Sequence, residues 1–186
     1  MSMTPYTDGI LDEINRTVKS VSEAEVELFI HRLLAARSIF VAGAGRSGLM
    51  MRAFAMRLMH MGLNAYVVGE AVTPGIKEGD LLIIGSGSGE TKSLVGMAEK
   101  AKQLGAGVAI ITVKPESTIG LLAETIIHIP ASPKETADRS GASTVQPMGS
   151  LFEQSILLLC DAVVLRAMEI QGIDAASMFG RHANLE

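Results

Sequence analysis

Leu81-Leu82-Ile83-Ile84-Gly85-Ser86-Gly87-Ser88-Gly89-Glu90-Thr91 decides how the rest of the chain is read. Four apolar residues in a row predict a fully buried strand. The backbone then turns through alternating Gly and Ser. Beyond Thr91, the residues Leu94, Val95, Ala98, Ala101 and Leu104 recur at helical spacing. Strand, small-residue loop and helix N-terminus together make an anion site. Glycines let backbone N–H groups approach a ligand, and the helix end carries about +0.5 of a charge. Ser86, Ser88 and Thr91 add hydroxyls, and Gly87 and Gly89 lie between them, so a phosphate monoester is the expected guest. A plainer reading, turn glycines and a helix cap, calls for fewer Gly and Ser than this loop supplies.

Outward from this loop, strands and helices alternate. Helices are expected from Tyr6 to Val21 and, behind a Ser22/Glu25 capping box, to about Ala36. Strands are expected at 38–42, 64–68, 80–84, 107–113 and 125–129. The intervening helices are a Met-rich one ending near Met61, one from Thr91 to Gly105, and a short one near Ser117. Such alternation predicts an α/β, three-layer α/β/α domain on a five-stranded parallel flavodoxin-like sheet, with any ligand at the carboxyl ends of the strands. Residues 130–147 lose apolar periodicity and read as a functional loop. Ser150 and Glu153 match a second capping box, opening a long apolar helix to about Gln171. Its Asp161 is expected to be buried beside Arg166, Arg57 or a hydroxyl. A short helix at 174–179 and a polar tail follow.

The 186 residues fit one domain, 1–186. Hydrophobic residues make up 48% and aromatics only 4%, so the core must be aliphatic, built with small residues and 11 Met. A net charge of -4 without a basic run excludes the electrostatic footprint of nucleic-acid binding. The single Cys160 rules out an internal disulfide framework and fits a cytoplasmic location. Neither a signal peptide nor a membrane span is expected, because the longest apolar run, 156–165, falls short of ~20 residues. The overall apolarity instead suggests surface buried between subunits, through the first helix and the C-terminal helix and tail.

Gly43-Ala44-Gly45-Arg46-Ser47-Gly48 matches G-x-G-x-x-G between a strand and a helix, and Glu70 lies near the end of the next strand. These are elements of a dinucleotide fingerprint. Arg46 inside the loop and the second, richer loop at 85–91 favour a sugar phosphate gripped from two sides. The second loop is not a Walker A motif, since Lys92 follows Thr91 rather than Gly.

The two loops resemble those of the sugar isomerase (SIS) domain. Within that group the chain is similar to the 6-phospho-3-hexuloisomerases. That closer likeness rests on 54–62 (Phe54 to Gly62), on 146–154 (Gln146 to Gln154) and on the ending Arg181 to Glu186. The resemblance implies interconversion of D-arabino-hex-3-ulose 6-phosphate and D-fructose 6-phosphate. It also implies a place in formaldehyde fixation after hexulose-phosphate synthase, no cofactor or metal, and a homotetramer. Such a reaction needs a base to carry a proton between adjacent carbons through an enediolate. Glu153 is the candidate base, with the capping box as its alternative role. His182 is the second catalytic candidate, as proton donor or in ring opening, reaching a neighbouring subunit's cleft. Arg46, Ser47, Ser86, Gly87, Ser88, Gly89 and Thr91 are expected to bind substrate, with Glu90 turned to sugar hydroxyls or a subunit contact. His60 is expected to be a partly buried structural histidine. Other SIS aldose–ketose isomerases and, more remotely, a dinucleotide binder are the alternatives.

Overall fold

The structure, a computed structural model, describes residues 3–131 and 144–185. Five parallel strands form one sheet in the order β2-β1-β3-β4-β5. They are β1 (Ile39–Gly43), β2 (Ala65–Val67), β3 (Leu81–Gly85), β4 (Gly107–Thr112) and β5 (Thr125–His128). The order reverses between β1 and β3, which pair from Ile39↔Leu81 to Gly43↔Gly85. The two glycine-bearing loops therefore leave adjacent strands side by side. That crevice is where open parallel sheets bind ligands.

Side chains alternate across the sheet and divide the core in two. Ile39, Val41, Leu81, Ile83, Ala109, Ile111 and Ile127 face helices α1 (Thr4–Lys19), α2 (Glu23–Ala35), α3 (Gly45–His60) and α6 (Ser150–Gln171). Phe40, Ala42, Leu82, Ile84, Val108 and Ile110 face α4 (Lys92–Gln103) and α5 (Thr118–Leu122). A last helix, α7 (Ala175–Phe179), is capped by Asp174, whose carboxylate accepts from Ser177 N.

Three local expectations need correction. Ser22 does accept from Glu25 N, but the Glu25 carboxylate accepts from His128 N of β5 instead of closing the box. The N-cap of α6 is Gly149, so Ser150 lies inside the helix and no capping box forms there. Asp161 is exposed, not buried, while Arg166 pairs with Glu27 and Glu169. The helix α6 has one buried face, and Leu158 and Leu165 remain exposed on the other. Most of the 130–147 segment lies outside the described residues.

Candidate active site

A cleft of about 260 Å³ opens at the carboxyl ends of β1 and β3. Ser47 lines it from the first loop, Ser86, Gly87, Ser88 and Thr91 from the second, and Phe152 from α6. Packing requires Gly43 and Gly48 of the first loop, and a left-handed φ of +57 suits Gly45. A Cβ on Gly48 would lie 2.6 Å from Gly43 O, so α3 can press this closely on β1 only without one. The second loop folds on its own hydroxyls: Gly89 N donates to Ser86 Oγ at 3.1 Å, and Glu90 N to Ser88 Oγ at 3.2 Å. Gly89 has φ +64, a left-handed conformation, and a Cβ there would meet Ser117 Oγ at 1.9 Å. Thr91 is the N-cap of α4, and its hydroxyl makes no capping bond. The α4 N-terminus thus turns free amides and a hydroxyl towards the cleft.

Arg46 leaves the first loop for α6. Its Nη1 lies 3.1 Å from Glu153 Oε2 and donates to Ser150 Oγ at 2.9 Å. The Glu153 side chain is 4% exposed and that of Arg46 51%, so the guanidinium covers a buried carboxylate. Glu153 follows Phe152 of the cleft wall in the first turn of α6. The segment leading into α6 is anchored from α1. The buried Glu13 accepts from Thr144 Oγ1, Val145 N and Gln146 Nε2. Burial pushes its carboxyl up, but these bonds and the nearby Arg16 charge outweigh that and leave it below the usual range. Nothing local in the sequence marks this link, because its partners are more than 130 positions apart.

Gly89, Arg46 and Glu153 are not among the residues that line the cleft, and three other sequence candidates make their contacts elsewhere. Glu90 turns away and accepts from Thr118 N and Oγ1, both at 2.8 Å. Glu70 makes a surface ion pair with Arg52. His182 stacks on His60, with ring centroids 5.3 Å apart, in a separate hollow of about 450 Å³ that Arg57 and Asp161 also line. That hollow sits at the C-terminal end of α3, whereas the cleft sits at its N-terminus. Sixteen helical residues separate the two by roughly 24 Å. Burial first, then the charges of Arg57 and His182, hold the His60 imidazole below its ordinary value. Lys114, just beyond β4, lines the cleft and carries the one charged side chain among its described walls; sequence reasoning missed it. Among the described residues no cluster of three or more His, Cys, Asp or Glu could hold a metal, and no helix is long and apolar enough to cross a membrane.

The SIS-domain profile matches residues 32–158. The chain is 54% identical to a 3-hexulose-6-phosphate isomerase of Bacillus subtilis, over all of both chains. It is 41% identical to a protein of the same name from Mycobacterium gastri, over 95% of this chain and 88% of the other. A crystal structure from Methanococcus jannaschii superposes with TM-score 0.84 at 32% identity, covering 98% of this chain and 99% of that one. Its authors inferred a 3-hexulose-6-phosphate isomerase function for that protein.

Proposed function

The chain belongs to the SIS-domain family, and from that membership we propose that it interconverts D-arabino-hex-3-ulose 6-phosphate and D-fructose 6-phosphate. The observation that carries this reading is the pairing of a hydroxyl- and amide-lined cleft with a buried carboxylate at its edge. A phosphate monoester occupies the Ser86–Thr91 loop, held by Ser86, Ser88, Thr91 and the amide of Gly87. Ser47 and Arg46 meet the sugar from the first loop. As the Arg46 guanidinium turns from Glu153 to the sugar oxygens, it uncovers the base.

Glu153 then takes the proton from C2 of the 3-ketose. Electrons move into the C2–C3 bond, and the C3 oxygen gains charge, giving an enediolate. The C2 hydroxyl proton passes to the C3 oxygen, the carboxyl returns its proton to C3, and the carbonyl re-forms at C2. Nothing is oxidised or reduced overall. A single glutamate acts as base in the related proton transfer of triosephosphate isomerase. With Gly149 as the N-cap of α6, a capping box at Ser150 does not account for the glutamate at 153.

His182 is too far along α3 to serve its own cleft, so it acts in that of a neighbouring subunit of a homotetramer. Exposed Met3, Tyr6 and Leu11 at and within α1, and Leu158 and Leu165 of α6, supply apolar surface for such contacts. The whole chain works as one such domain in the cytoplasm, next to a hexulose-phosphate synthase that supplies its substrate. The test is a coupled assay: the synthase makes the hexulose phosphate from formaldehyde and ribulose 5-phosphate, and fructose 6-phosphate is read enzymatically. Formation that depends on this protein supports the reading. No fructose 6-phosphate, or turnover only of an aldose phosphate such as arabinose 5-phosphate, refutes it.

A further inference from the structure

The phosphate reading leaves a doubly charged ester in a cleft whose first-loop cation, Arg46, is engaged with Glu153. Lys114 is the other cation at hand. It lies two residues past the end of β4, beside the loop that follows β3. Val113 N and Thr112 Oγ1 both donate to Gly87 O at 3.2 Å, and Lys114 N donates to Thr112 Oγ1 at 3.1 Å. The base of Lys114 is therefore tied to the middle of the Ser86–Thr91 loop. Glu90, whose carboxyl feels the Lys114 charge, does not consume it. Glu90 is fixed on α5 by two bonds from Thr118, and Lys114 makes no ion pair among the described residues. The Glu90 carboxyl lies below its usual range mainly through those Thr118 bonds, and the Lys114 charge adds to the effect. Two features of the site thus converge: the half-buried Lys114 lines the cleft, and the Glu90 carboxylate that feels its charge is held by Thr118.

We infer that Lys114 is a substrate-binding residue that supplies the positive charge facing the phosphate group of the ketose phosphate. This rests on the phosphate placement proposed above. The ammonium acts as a compact point charge beside the hydroxyls and amides of the loop, which by themselves carry no full charge. Because the phosphate is equally charged in ground state and transition state, Lys114 contributes uniform binding and leaves the chemical step alone.

The test compares wild type, Lys114→Met and Lys114→Arg in the coupled assay, with inorganic phosphate binding measured by calorimetry. Lys114→Met is expected to raise KM about 10- to 100-fold, the effect of losing one hydrogen bond to a charged group, with kcat little changed. Lys114→Arg is expected to restore most of the loss, and phosphate affinity is expected to fall in Lys114→Met alone. An unchanged KM overturns the inference, and so does a fall in kcat at constant KM, which would place the ammonium at the reacting carbons. If Lys114→Met does not fold, Lys114→Gln takes its place with the same expected rise in KM. If wild type binds phosphate but does not form fructose 6-phosphate, the isomerase reading fails; Lys114 is then judged by phosphate affinity alone, and equal binding by wild type and the neutral variant refutes it.

Discussion

Arg46 Nη1 stands 3.1 Å from Glu153 Oε2, joining the first turn of α3 to the first turn of α6 across more than a hundred residues. The same nitrogen takes Ser150 Oγ as acceptor. One guanidinium thus fixes the entry of α6 and shields the carboxylate proposed as the base. Arg46→Met should therefore lower kcat/KM by about 10- to 100-fold, the equivalent of about 1.5–3 kcal/mol for a hydrogen bond to a charged group. Stability should fall as well, because the variant takes the guanidinium from a carboxylate that is only 4% exposed. Steady-state kinetics with a thermal melt separate the two effects; full activity in a stable variant contradicts this role.

Glu13 ties α1 to residues 144–146 and so braces the approach to α6. Its carboxyl is depressed below its ordinary 4.5 in the folded chain. The unfolded chain therefore binds the proton more readily, and stability rises with pH through this window. The contribution is complete above about 4.5 and is lost as pH falls through the folded value. Glu13→Gln should lower stability by about 1–3 kcal/mol at neutral pH and show a flatter loss between pH 5 and pH 3 than wild type. Urea denaturation at several pH values reads both effects.

Gly89 holds the second loop in a left-handed turn against the cap of α5. Gly89→Ala adds a Cβ in a disfavoured conformation and drives it into Ser117. A loss of about 1–3 kcal/mol is expected, together with a raised KM, because the phosphate loop must shift. Chemical denaturation and kinetics on one preparation test the pair; a normal KM would mean that the loop is not where substrate binds.

The ring stack of His60 and His182 gives the tail a dependence on pH. Folding depresses the His60 imidazole below its ordinary 6.5. The undocked tail leaves it easier to protonate, so docking is favoured above about 6.5 and weakens as pH falls below it. Arg181, whose guanidinium donates to His60 O at 3.2 Å, should become easier for trypsin to reach on acidification from pH 7.5 to pH 6. His60→Phe should remove that dependence, measured against trypsin's own activity at each pH. Deleting 181–186 should lower kcat more than phosphate affinity if His182 works in a partner's cleft.

The sheet was legible because each strand is a short apolar run closed by Gly, Pro or a polar cluster, as in 81–85 and 107–112. The two loops were legible because their glycines answer to local geometry, Gly48 to contact with Gly43 and Gly89 to a positive φ. The misreadings came where local spacing admits two backbones. Ser150 and Glu153 have capping-box spacing, but the helix begins one residue earlier, at a glycine that cannot cap. Asp161 interrupts an apolar run yet falls on the exposed face of α6. Lys114 carries no motif; only the position of β4 in the sheet brings it to the cleft. Long-range bonds such as Glu13 to Gln146 leave no mark in sequence spacing.

The proton transfer itself is most directly tested by Glu153→Gln, with isomerisation rate and fructose 6-phosphate affinity measured on the same folded protein. A positioned base is worth about 10²–10⁴-fold, so the rate should fall by that order while the sugar phosphate still binds. A folded Glu153→Gln protein that turns over at the wild-type rate would contradict the account.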